Sequence, residues 1–408
     1  MTIEVHIEWA GATHLVGVLH PASRGPSTAF EYAIAWLQRA DAFAIDPIAL
    51  PLQPGGHHAA ALFSALQDCG PDRWGRVLVD RAVRKGVIER RPHRDLDYVL
   101  ALDDGSRIGA LRFSEPGGPF LAVTTGRLPP IVRLAALLRA ADAIHQESES
   151  AADLRLLLDE GSPLGGARPK SAVVLPDGTL AIAKFRKPDD TRDLAAGEIL
   201  ALGLANRAGI STAAHRLVPV GKSHAAVITR FDRVANKRVP FVSAATLIGT
   251  TERDAGSYVA IAEAIRRFGD DVGKDLAELW RRMAFSLLVC NSDDHLRNHA
   301  FLMRGAGKWS LSPAYDINPV PEIDRGHGQQ TPLSEDRSDF SIDHAMAIAA
   351  SFGLTAARAR TILRELVEVI GDWRQVARKL KLSGPIVAVY ASAFEHEVMD
   401  EARTVARG

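Results

Sequence analysis

Apolar and polar residues alternate at the start of the chain with the two-residue period of β-strands. The segments IEVHIEW and HLVGVLHP, separated by AGAT, predict two strands within residues 1–22. Residues 30–40 fit a helix or a long strand equally well. The prolines and glycines of 44–56 predict an irregular segment or an edge strand. Two helices then flank a Gly-Pro break at 70–71, and a turn and a strand follow at 103–113.

The middle of the chain changes to a different pattern after RLPP (127–130). An Ala- and Leu-rich stretch at 131–157 predicts helix, so we expect a domain boundary near residue 125. Beyond it, SAVVL and TLAIAKF flank PDG within 161–188, which predicts a β-hairpin. A helix should follow at 193–209, with Asp193 suited to its start and Gly209 to its end.

The last third is mostly helical by its pattern, after a strand at 225–234 that runs into a polar turn. The clearest helix is 276–290, where the apolar residues repeat at the spacing of one helix face. Those residues are Leu276, Leu279, Trp280, Met283, Ala284, Leu287 and Leu288. Glu278, Arg281 and Arg282 are expected on the opposite, polar face.

Composition narrows the class of protein. With 408 residues, the chain is expected to form two domains or more, and 47% hydrophobic with 24% charged residues is ordinary for a soluble protein. Only two cysteines, Cys69 and Cys290, are present, which favours a reducing cytoplasm. The start of the chain does not have the pattern of a signal peptide, and we expect no membrane-spanning helix. The formal net charge of zero argues against direct DNA binding.

Two segments carry residues that could hold a phosphate. The turn GGARPK (165–170) offers backbone N–H groups, with Lys170 or Arg168 nearby for charge, although a simple tight turn into a hairpin would have the same composition. Lys184 shares a strand face with apolar residues, where a lysine is rare unless it is paired, and Glu198 on the next helix is a candidate partner. Alternatively, the Lys184 ammonium reaches water at the strand end.

Two further segments suggest phosphoryl transfer. The stretch NSDDHLRN follows the 276–290 helix and places Asp293 and Asn298 at the D-x-x-x-x-N spacing of a kinase catalytic loop. Asp294 does not have that spacing to Asn298, and a solvated polar loop is the alternative. Asp316, in LSPAYDINP, lies where a second magnesium ligand at the far end of a hairpin would be.

The order of these motifs resembles the HipA family, the serine/threonine-kinase toxins of bacterial type II toxin–antitoxin modules. The matching segments are GGARPK, AIAKF, GEILALGLANRAGI, ITRFDR, NSDDHLRNHAFL and LSPAYDINP, with VGVL, LPL, PDRWGR and IGALRF in the N-terminal part. The resemblance implies an α+β, protein-kinase-like two-lobed fold. A small β-rich N-terminal subdomain (1–125) would precede a kinase domain (126–408) with a β-rich N-lobe at about 155–240 and an all-helical C-lobe at about 241–408.

The resemblance also implies roles for individual residues. It places Asp293 as the catalytic base, His295 as a residue that orients the loop, and magnesium on Asn298 and Asp316. Lys184 would bind ATP phosphate with Glu198 as its helix partner, and Thr229 and Phe231 would offer backbone groups to adenine. The remaining ATP-binding residues would be Gly165, Gly166, Ala167 and Lys170 around the phosphates and Asp232 at the ribose. ATP and Mg²⁺ are therefore the expected cofactors.

The chain departs from the family pattern at two places. Where these proteins commonly carry an autophosphorylated serine, this sequence has Pro163, with Ser162 one residue earlier, so autophosphorylation at Ser162 is a hypothesis and self-inactivation by loop ejection would be altered or absent. The family's Q-E-D element after the hinge is also missing, and VSAATLIG (242–249) takes its place.

Three other functions compete with a toxin kinase that phosphorylates a cytosolic protein, for which an aminoacyl-tRNA synthetase is the expected target class. A small-molecule phosphotransferase of the antibiotic or choline type would share the lobes, but PDRWGR argues against it. A pseudokinase co-repressor would need no catalytic residues, yet this sequence has the expected residue types at all of the catalytic and metal-binding positions. A zinc hydrolase is disfavoured because DDH and HH (57–58) lack ligand spacing. The implied partner is a HipB-like helix-turn-helix antitoxin that supplies most of the DNA contacts.

Overall fold

The computed structural model describes residues 2–71, 73–89, 94–121, 129–159, 168–235, 237–250, 256–305, 307–326, 328–335 and 337–408. The chain forms two compact units. The first contains Met1–Asp190, Val218–Val242 and Gly305–Gly307, and the second contains Thr191–Leu217, Ser243–Arg304 and Lys308–Gly408. The boundary expected near residue 125 lies outside the described residues, so the division at that point stays a prediction.

The first unit begins with a five-stranded antiparallel sheet. Its order is β4-β3-β2-β1-β5, from β1 (Ile3–Trp9), β2 (Ala12–Pro21), β3 (Thr28–Tyr32), β4 (Gly56–Ala59) and β5 (Leu111–Ser114). The alternation of the first segment is confirmed, because Ile3, Val5 and Ile7 are buried. Four helices accompany this sheet: α1 (Ile34–Leu37), α2 (Ser64–Gln67), α3 (Arg73–Arg84) and α4 (Asp95–Leu100). Residues 30–40 therefore contain the end of a strand and then a short helix.

A second sheet in the first unit has the order β6-β7-β9-β8. Its strands are β6 (Lys170–Val174), β7 (Leu180–Lys184), β8 (His215–Val220) and β9 (Ser223–Thr229). The predicted hairpin is confirmed as β6 and β7, which pair antiparallel. Ala181 and Ala183 pack in one core with residues of α5 (Leu134–His145) and α6 (Ala151–Asp159), the two helices into which the 131–157 stretch divides.

Short strands follow this sheet. The predicted strand 225–234 is two elements, because β9 ends at Thr229 and β10 (Arg233–Val234) pairs with β11 (Lys237–Arg238). The chain then passes through β12 (Phe241–Ser243) into the second unit.

The second unit is mainly helical. Its helices are α7 (Leu194–Arg207), α8 (Ala244–Ile248), α9 (Tyr258–Phe268), α10 (Val272–Leu288), α11 (Ile342–Ala347), α12 (Ala356–Gly371), α13 (Trp373–Lys379), α14 (Gly384–Phe394) and α15 (Glu397–Arg407). The expectation of an all-helical C-lobe is wrong in one respect. Neighbouring strands β13 (Ala300–Gly305) and β14 (Lys308–Leu311) are inserted after α10. The apolar runs AFLM and W-S-L are too short for helices and alternate with turn residues.

Helix α10 is the central helix of this unit. All seven apolar residues that predict its buried face are buried, and Asp271 caps its start by accepting a hydrogen bond from the Lys274 N–H at 3.3 Å. The expectation that Arg282 lies on a polar, exposed face is wrong, because this side chain is buried. It donates to Glu278 Oε1 at 2.8 Å and to the Ser312 carbonyl at 2.9 Å. These partners compensate the buried guanidinium charge of Arg282. The periodicity of the helix alone does not indicate them.

None of the helices in the described part of the chain has both the length and the apolar composition that a membrane crossing requires.

Helix α7 packs closely against α14 at Gly197. A Cβ at Gly197 would lie 2.3 Å from the hydroxyl of Tyr390, which is buried and donates to the Asp193 carbonyl at 2.9 Å. Gly197→Ala should therefore lower the free energy of unfolding by about 1–3 kcal/mol, measured by urea denaturation. Gly203→Ala, in the same helix, has its nearest neighbour at 3.5 Å. This control should be neutral or gain up to about 1 kcal/mol from helix propensity. Equal effects of the two variants would contradict the packing described here.

Candidate active site

The loop between α10 and β13 holds the D-x-x-x-x-N pair. Asp293 is exposed, and Asn298 ends a single 3₁₀ turn (Leu296–Asn298). The Asn298 side-chain amide donates to the Asp293 carbonyl at 2.9 Å, and its backbone N–H donates to the His295 carbonyl at 2.8 Å. The five-residue spacing thus closes a compact turn. Because the amide nitrogen is used inside this turn, the amide oxygen of Asn298 is the atom that could bind a metal.

The neighbouring carboxylate has a different environment. Asp294 is buried and accepts a hydrogen bond from the Tyr258 hydroxyl, and His299 Nε2 lies 3.0 Å from its other oxygen. Burial, and then the charge of Asp294, raise the pKa of Tyr258 well above its usual value, so the hydroxyl remains a donor. Asp294 is therefore committed to internal contacts, whereas Asp293 faces solvent.

Asp316 lies in the segment that follows β14. Its φ of 56° is in the left-handed region, which non-glycine residues adopt at some cost and which often occurs at functional sites. The Asn318 side-chain amide donates to Asp316 Oδ1 at 3.0 Å. The Tyr315 hydroxyl donates to the Arg297 carbonyl at 2.8 Å, so this segment is tied to the loop that carries Asp293 and Asn298.

The Asn298 amide oxygen and the Asp316 carboxylate are hard oxygen donors of the kind that Mg²⁺ prefers. Magnesium usually takes only one or two protein ligands and completes its shell with water and phosphate oxygens, so this pair fits the ion. Across the ranges that the structure describes, no three His, Cys, Asp or Glu side chains converge on a common point. A magnesium site made of one carboxylate and one amide contains only one of these side chains and therefore does not form such a cluster.

The two lysines assigned to phosphate lie on one hairpin of the first unit. Lys170 and Lys184 are directly opposite each other in the antiparallel register of β6 and β7, with Lys170 buried and Lys184 half-buried. Two like charges in this relation repel each other, so the pair favours nearby anionic oxygens, from carboxylate or phosphate. Arg168 is held by Asp190, with Nη1 lying 2.8 and 2.7 Å from the two carboxylate oxygens.

Glu198 is buried in α7 of the second unit, behind the Asp193 cap that accepts a hydrogen bond from the Ala196 N–H at 2.9 Å. This confirms the predicted start of the helix. The pairing of Glu198 with Lys184 stays a prediction. His295 is buried, and its assignment as an orienting residue also stays a prediction.

The residues assigned to the base and ribose of the nucleotide follow β9. Thr229 ends that strand, and Thr229 and Phe231 are both half-buried. Gly165, Gly166, Ala167 and Ser162 lie outside the described residues.

Asp232, assigned to the ribose, makes contacts of another kind. Its two carboxylate oxygens accept hydrogen bonds from Arg230 Nε at 2.8 Å, Arg233 Nη1 at 2.7 Å and the Gly109 N–H at 2.7 Å. Burial by itself would raise the pKa of Asp232, but the charges of Arg230 and Arg233 outweigh it and lower that pKa. Arg230 also donates to the carbonyls of Ser106 and Arg107. These contacts favour a structural role for Asp232, since they clamp the end of β9 to the loop before β5.

The fold matches that of a solved Shewanella oneidensis MR-1 HipA, determined in a complex with HipB and operator DNA, with a TM-score of 0.67 over 99% of this chain and 96% of that chain at 17% identity. The predicted α+β fold class and its β-rich N-terminal part are thereby confirmed.

The sequence also matches two family models, the HipA N-terminal domain over residues 9–114 and the HipA-like C-terminal domain over residues 162–373. The chain belongs to the HipA family. Relatives include Y4dM of Sinorhizobium fredii, 29% identical over 188 residues, and a protein of Haemophilus influenzae, 25% identical over 189 residues, both designated as inferred kinases. These matches cover 43% and 40% of this chain, and they span only about half of each relative, 44% and 55%.

Some contacts of the site were not predicted from the sequence. The burial of Asp294 against Tyr258 and His299 joins a residue of α9 to the middle and the end of the loop, and no local pattern indicates it. A contact of Gln330 Nε2 with Asp293 Oδ1 at 3.2 Å was missed for the same reason.

The ion-pair cluster at Asp232 leads to a stability prediction. Asp232→Ala leaves Arg230 and Arg233 buried without their carboxylate, and should cost about 3–5 kcal/mol of unfolding free energy near neutral pH. Because the folded-state pKa of Asp232 is depressed, its stabilisation is present above the unfolded pKa, about 4, and is lost as the pH falls below it. Denaturation curves of both proteins should therefore converge in acid. The exposed Glu263, paired with Arg266, is the control, and Glu263→Ala should cost less than about 1 kcal/mol.

Proposed function

We propose that this protein is an ATP- and Mg²⁺-dependent serine/threonine-protein kinase that acts as the toxin of a HipBA-type toxin–antitoxin system. The observation that carries the proposal is the separation of the two adjacent aspartates. Asp293 is exposed in a turn closed by Asn298, while Asp294 is used internally. A kinase requires one carboxylate available to the acceptor hydroxyl and an amide oxygen beside it for the metal.

In the proposed reaction, the hydroxyl oxygen of the acceptor bonds to the γ-phosphorus of ATP while the bond to the ADP oxygen breaks. Asp293 orients the hydroxyl and takes its proton late in the transfer. Lys170 and Lys184 hold phosphate oxygens, and Asn298 and Asp316 hold Mg²⁺. The ion, when bound, would neutralise charge that spreads over the phosphate oxygens. Glu198 pairs with Lys184, and His295 orients the loop. The backbone groups of Thr229 and Phe231 bind adenine, and the phosphates lie under residues 165–170.

The partner and target belong to the same proposal. The Shewanella protein of the same fold was determined with HipB and operator DNA. A helix-turn-helix antitoxin of that kind would bring this chain to DNA, consistent with a net charge of zero. The acceptor is a serine or threonine of a cytosolic protein, and an aminoacyl-tRNA synthetase is the target class that would inhibit translation and growth. The chain carries Pro163 at the usual modified position, so we assign Ser162 as the candidate for autophosphorylation.

Substitution of Asp293 should lower activity, whereas substitution of Asp294 should lower stability. Asp293→Ala should lower phosphate transfer by at least about 100-fold while ATP still binds and the unfolding free energy is unchanged, because Asp293 is exposed. Asp294→Asn should lose about 1–3 kcal/mol of stability, since an uncharged amide would replace the buried carboxylate that accepts the Tyr258 hydrogen bond and lies beside His299. Its transfer rate should stay within about tenfold of wild type. Full activity of Asp293→Ala would refute the assignment of the base.

The target can be identified with radiolabelled ATP. The purified protein is incubated with a cytosolic lysate, and labelled proteins are identified by mass spectrometry, with Asp293→Ala as the matched control. We expect a labelled serine or threonine in a protein of the translation machinery that is absent with the variant. Label only in small-molecule alcohols would favour a small-molecule phosphotransferase, and ATP binding without any transfer would favour a pseudokinase co-repressor.

A further inference from the structure

Helix α10 ends in a compact backbone turn immediately before the loop that carries Asp293. The Cys290 N–H donates to the Leu287 carbonyl at 3.1 Å, and the Asn291 N–H donates to the Ser286 carbonyl at 2.9 Å. With the left-handed φ of 52° at Cys290, these two bonds form a Schellman motif. Glycine is the usual residue at this left-handed position, because a side chain there costs energy. Since a buried cysteine occupies it here, the turn depends on neighbouring groups that hold it in place.

His396 lies against this turn from the start of α15. Its Nε2 is 3.1 Å from the Leu288 carbonyl oxygen and 3.4 Å from Cys290 Sγ. The Met399 N–H donates to its Nδ1 at 3.4 Å, which is the hydrogen bond of a helix N-cap. A carbonyl oxygen only accepts hydrogen bonds, so Nε2 carries the ring proton and Nδ1 is the acceptor. One neutral imidazole therefore joins the end of α10 to the start of α15.

The surroundings of His396 favour this neutral ring. Burial lowers the pKa of His396 and the charge of Arg325 lowers it further, and together they outweigh the opposite effect of the hydrogen bond to the Leu288 carbonyl. The imidazole is therefore neutral at neutral pH, so that it can donate from Nε2 and accept at Nδ1 at the same time.

The turn at the end of α10 is also tied to the segment that carries Asp316. The Val320 N–H donates to the Val289 carbonyl at 3.3 Å, and the Asn318 N–H donates to Asn291 Oδ1 at 3.4 Å. The Asn318 side-chain amide in turn donates to Asp316 Oδ1. The end of α10 is thus a common attachment point for the loop with the candidate base and for the segment with Asp316.

We propose that His396 is a positioning residue, which fixes the start of the loop that carries Asp293 through its hydrogen bond to the Leu288 carbonyl. This inference rests on the proposed function and adds to it a residue of the last helix. Without this contact a buried carbonyl loses its donor and the left-handed Cys290 is less constrained, so the loop samples other positions. Phosphoryl transfer requires exact placement of the base, so a displaced loop lowers kcat more than ATP binding.

Two substitutions separate the two hydrogen bonds of His396. His396→Asn keeps an acceptor for the Met399 N–H but is too short to reach the Leu288 carbonyl, whereas His396→Gln offers an amide nitrogen with that reach but is a poor N-cap. The assay uses the full chain and the acceptor protein labelled in the lysate experiment. We expect kcat to fall about 10-fold in His396→Asn and to stay within about twofold of wild type in His396→Gln, with the KM for ATP unchanged in both.

Hydrogen exchange measured by mass spectrometry gives a second readout that does not require activity. Peptides that cover 285–292 should exchange about 10-fold faster in His396→Asn than in wild type, and close to the wild-type rate in His396→Gln. The order should be reversed for peptides that cover 397–403, because only the glutamine weakens the N-cap of α15. The control is His20→Asn, an exposed histidine of β2, which should change neither exchange nor kcat.

The outcomes separate the role of His396 from the proposed function. A lower kcat and faster exchange at 285–292 in His396→Asn alone support the role. Wild-type kcat in both variants would overturn it, and so would equal losses of kcat that follow the unfolding free energies of the two variants. If the wild-type chain transfers no phosphate, the proposed kinase function is wrong. Exchange at 285–292 then still decides whether His396 holds the loop: a faster rate in His396→Asn supports this, and an unchanged rate contradicts it.

Discussion

The hydrogen bond between the Tyr258 hydroxyl and the buried Asp294 carboxylate is the contact on which the candidate site depends. A buried carboxylate is costly unless it is hydrogen-bonded, and the Tyr258 hydroxyl supplies that hydrogen bond from inside the second unit, with His299 Nε2 3.0 Å from the other oxygen. Once Asp294 is fixed inward, the adjacent Asp293 is directed to solvent. The two adjacent aspartates therefore face opposite sides of the loop, because one of them, Asp294, has its hydrogen-bond partner inside the protein.

The helix before the loop and the segment after it give that contact its support. Helix α10 is buried along its apolar face and ends immediately before the loop, so the loop starts from a rigid position. Cys290 and Asp316 both adopt left-handed backbone, at the start of the loop and beyond the hairpin. Such conformations cost energy, and at Asp316 the hydrogen bonds of Tyr315 and Asn318 help to maintain the backbone.

The first unit shows another use of buried charge. Asp232 and the arginines around it join the end of β9 to the loop before β5, which links the N-terminal sheet to the sheet that carries Lys170 and Lys184. Buried ion pairs add little net stability but require a defined geometry. The cluster therefore fixes where the chain leaves β9, and the ITRFDR motif has a structural meaning in addition to its assignment near the nucleotide.

Local patterns in the sequence determined the hairpin of β6 and β7, the Asp193 cap, the buried face of α10 and the spacing of Asp293 and Asn298, because each depends on residues within a few positions of one another. Motif order was sufficient to indicate the HipA family. Tertiary structure decided the burial of Arg282, the commitment of Asp232 and Asp294, and the approach of Gln330 to Asp293. Each of these depends on at least one partner far away in the chain, such as Gly109 for Asp232 and Ser312 for Arg282. A charged residue has the same sequence pattern whether folding gives it water or an internal partner.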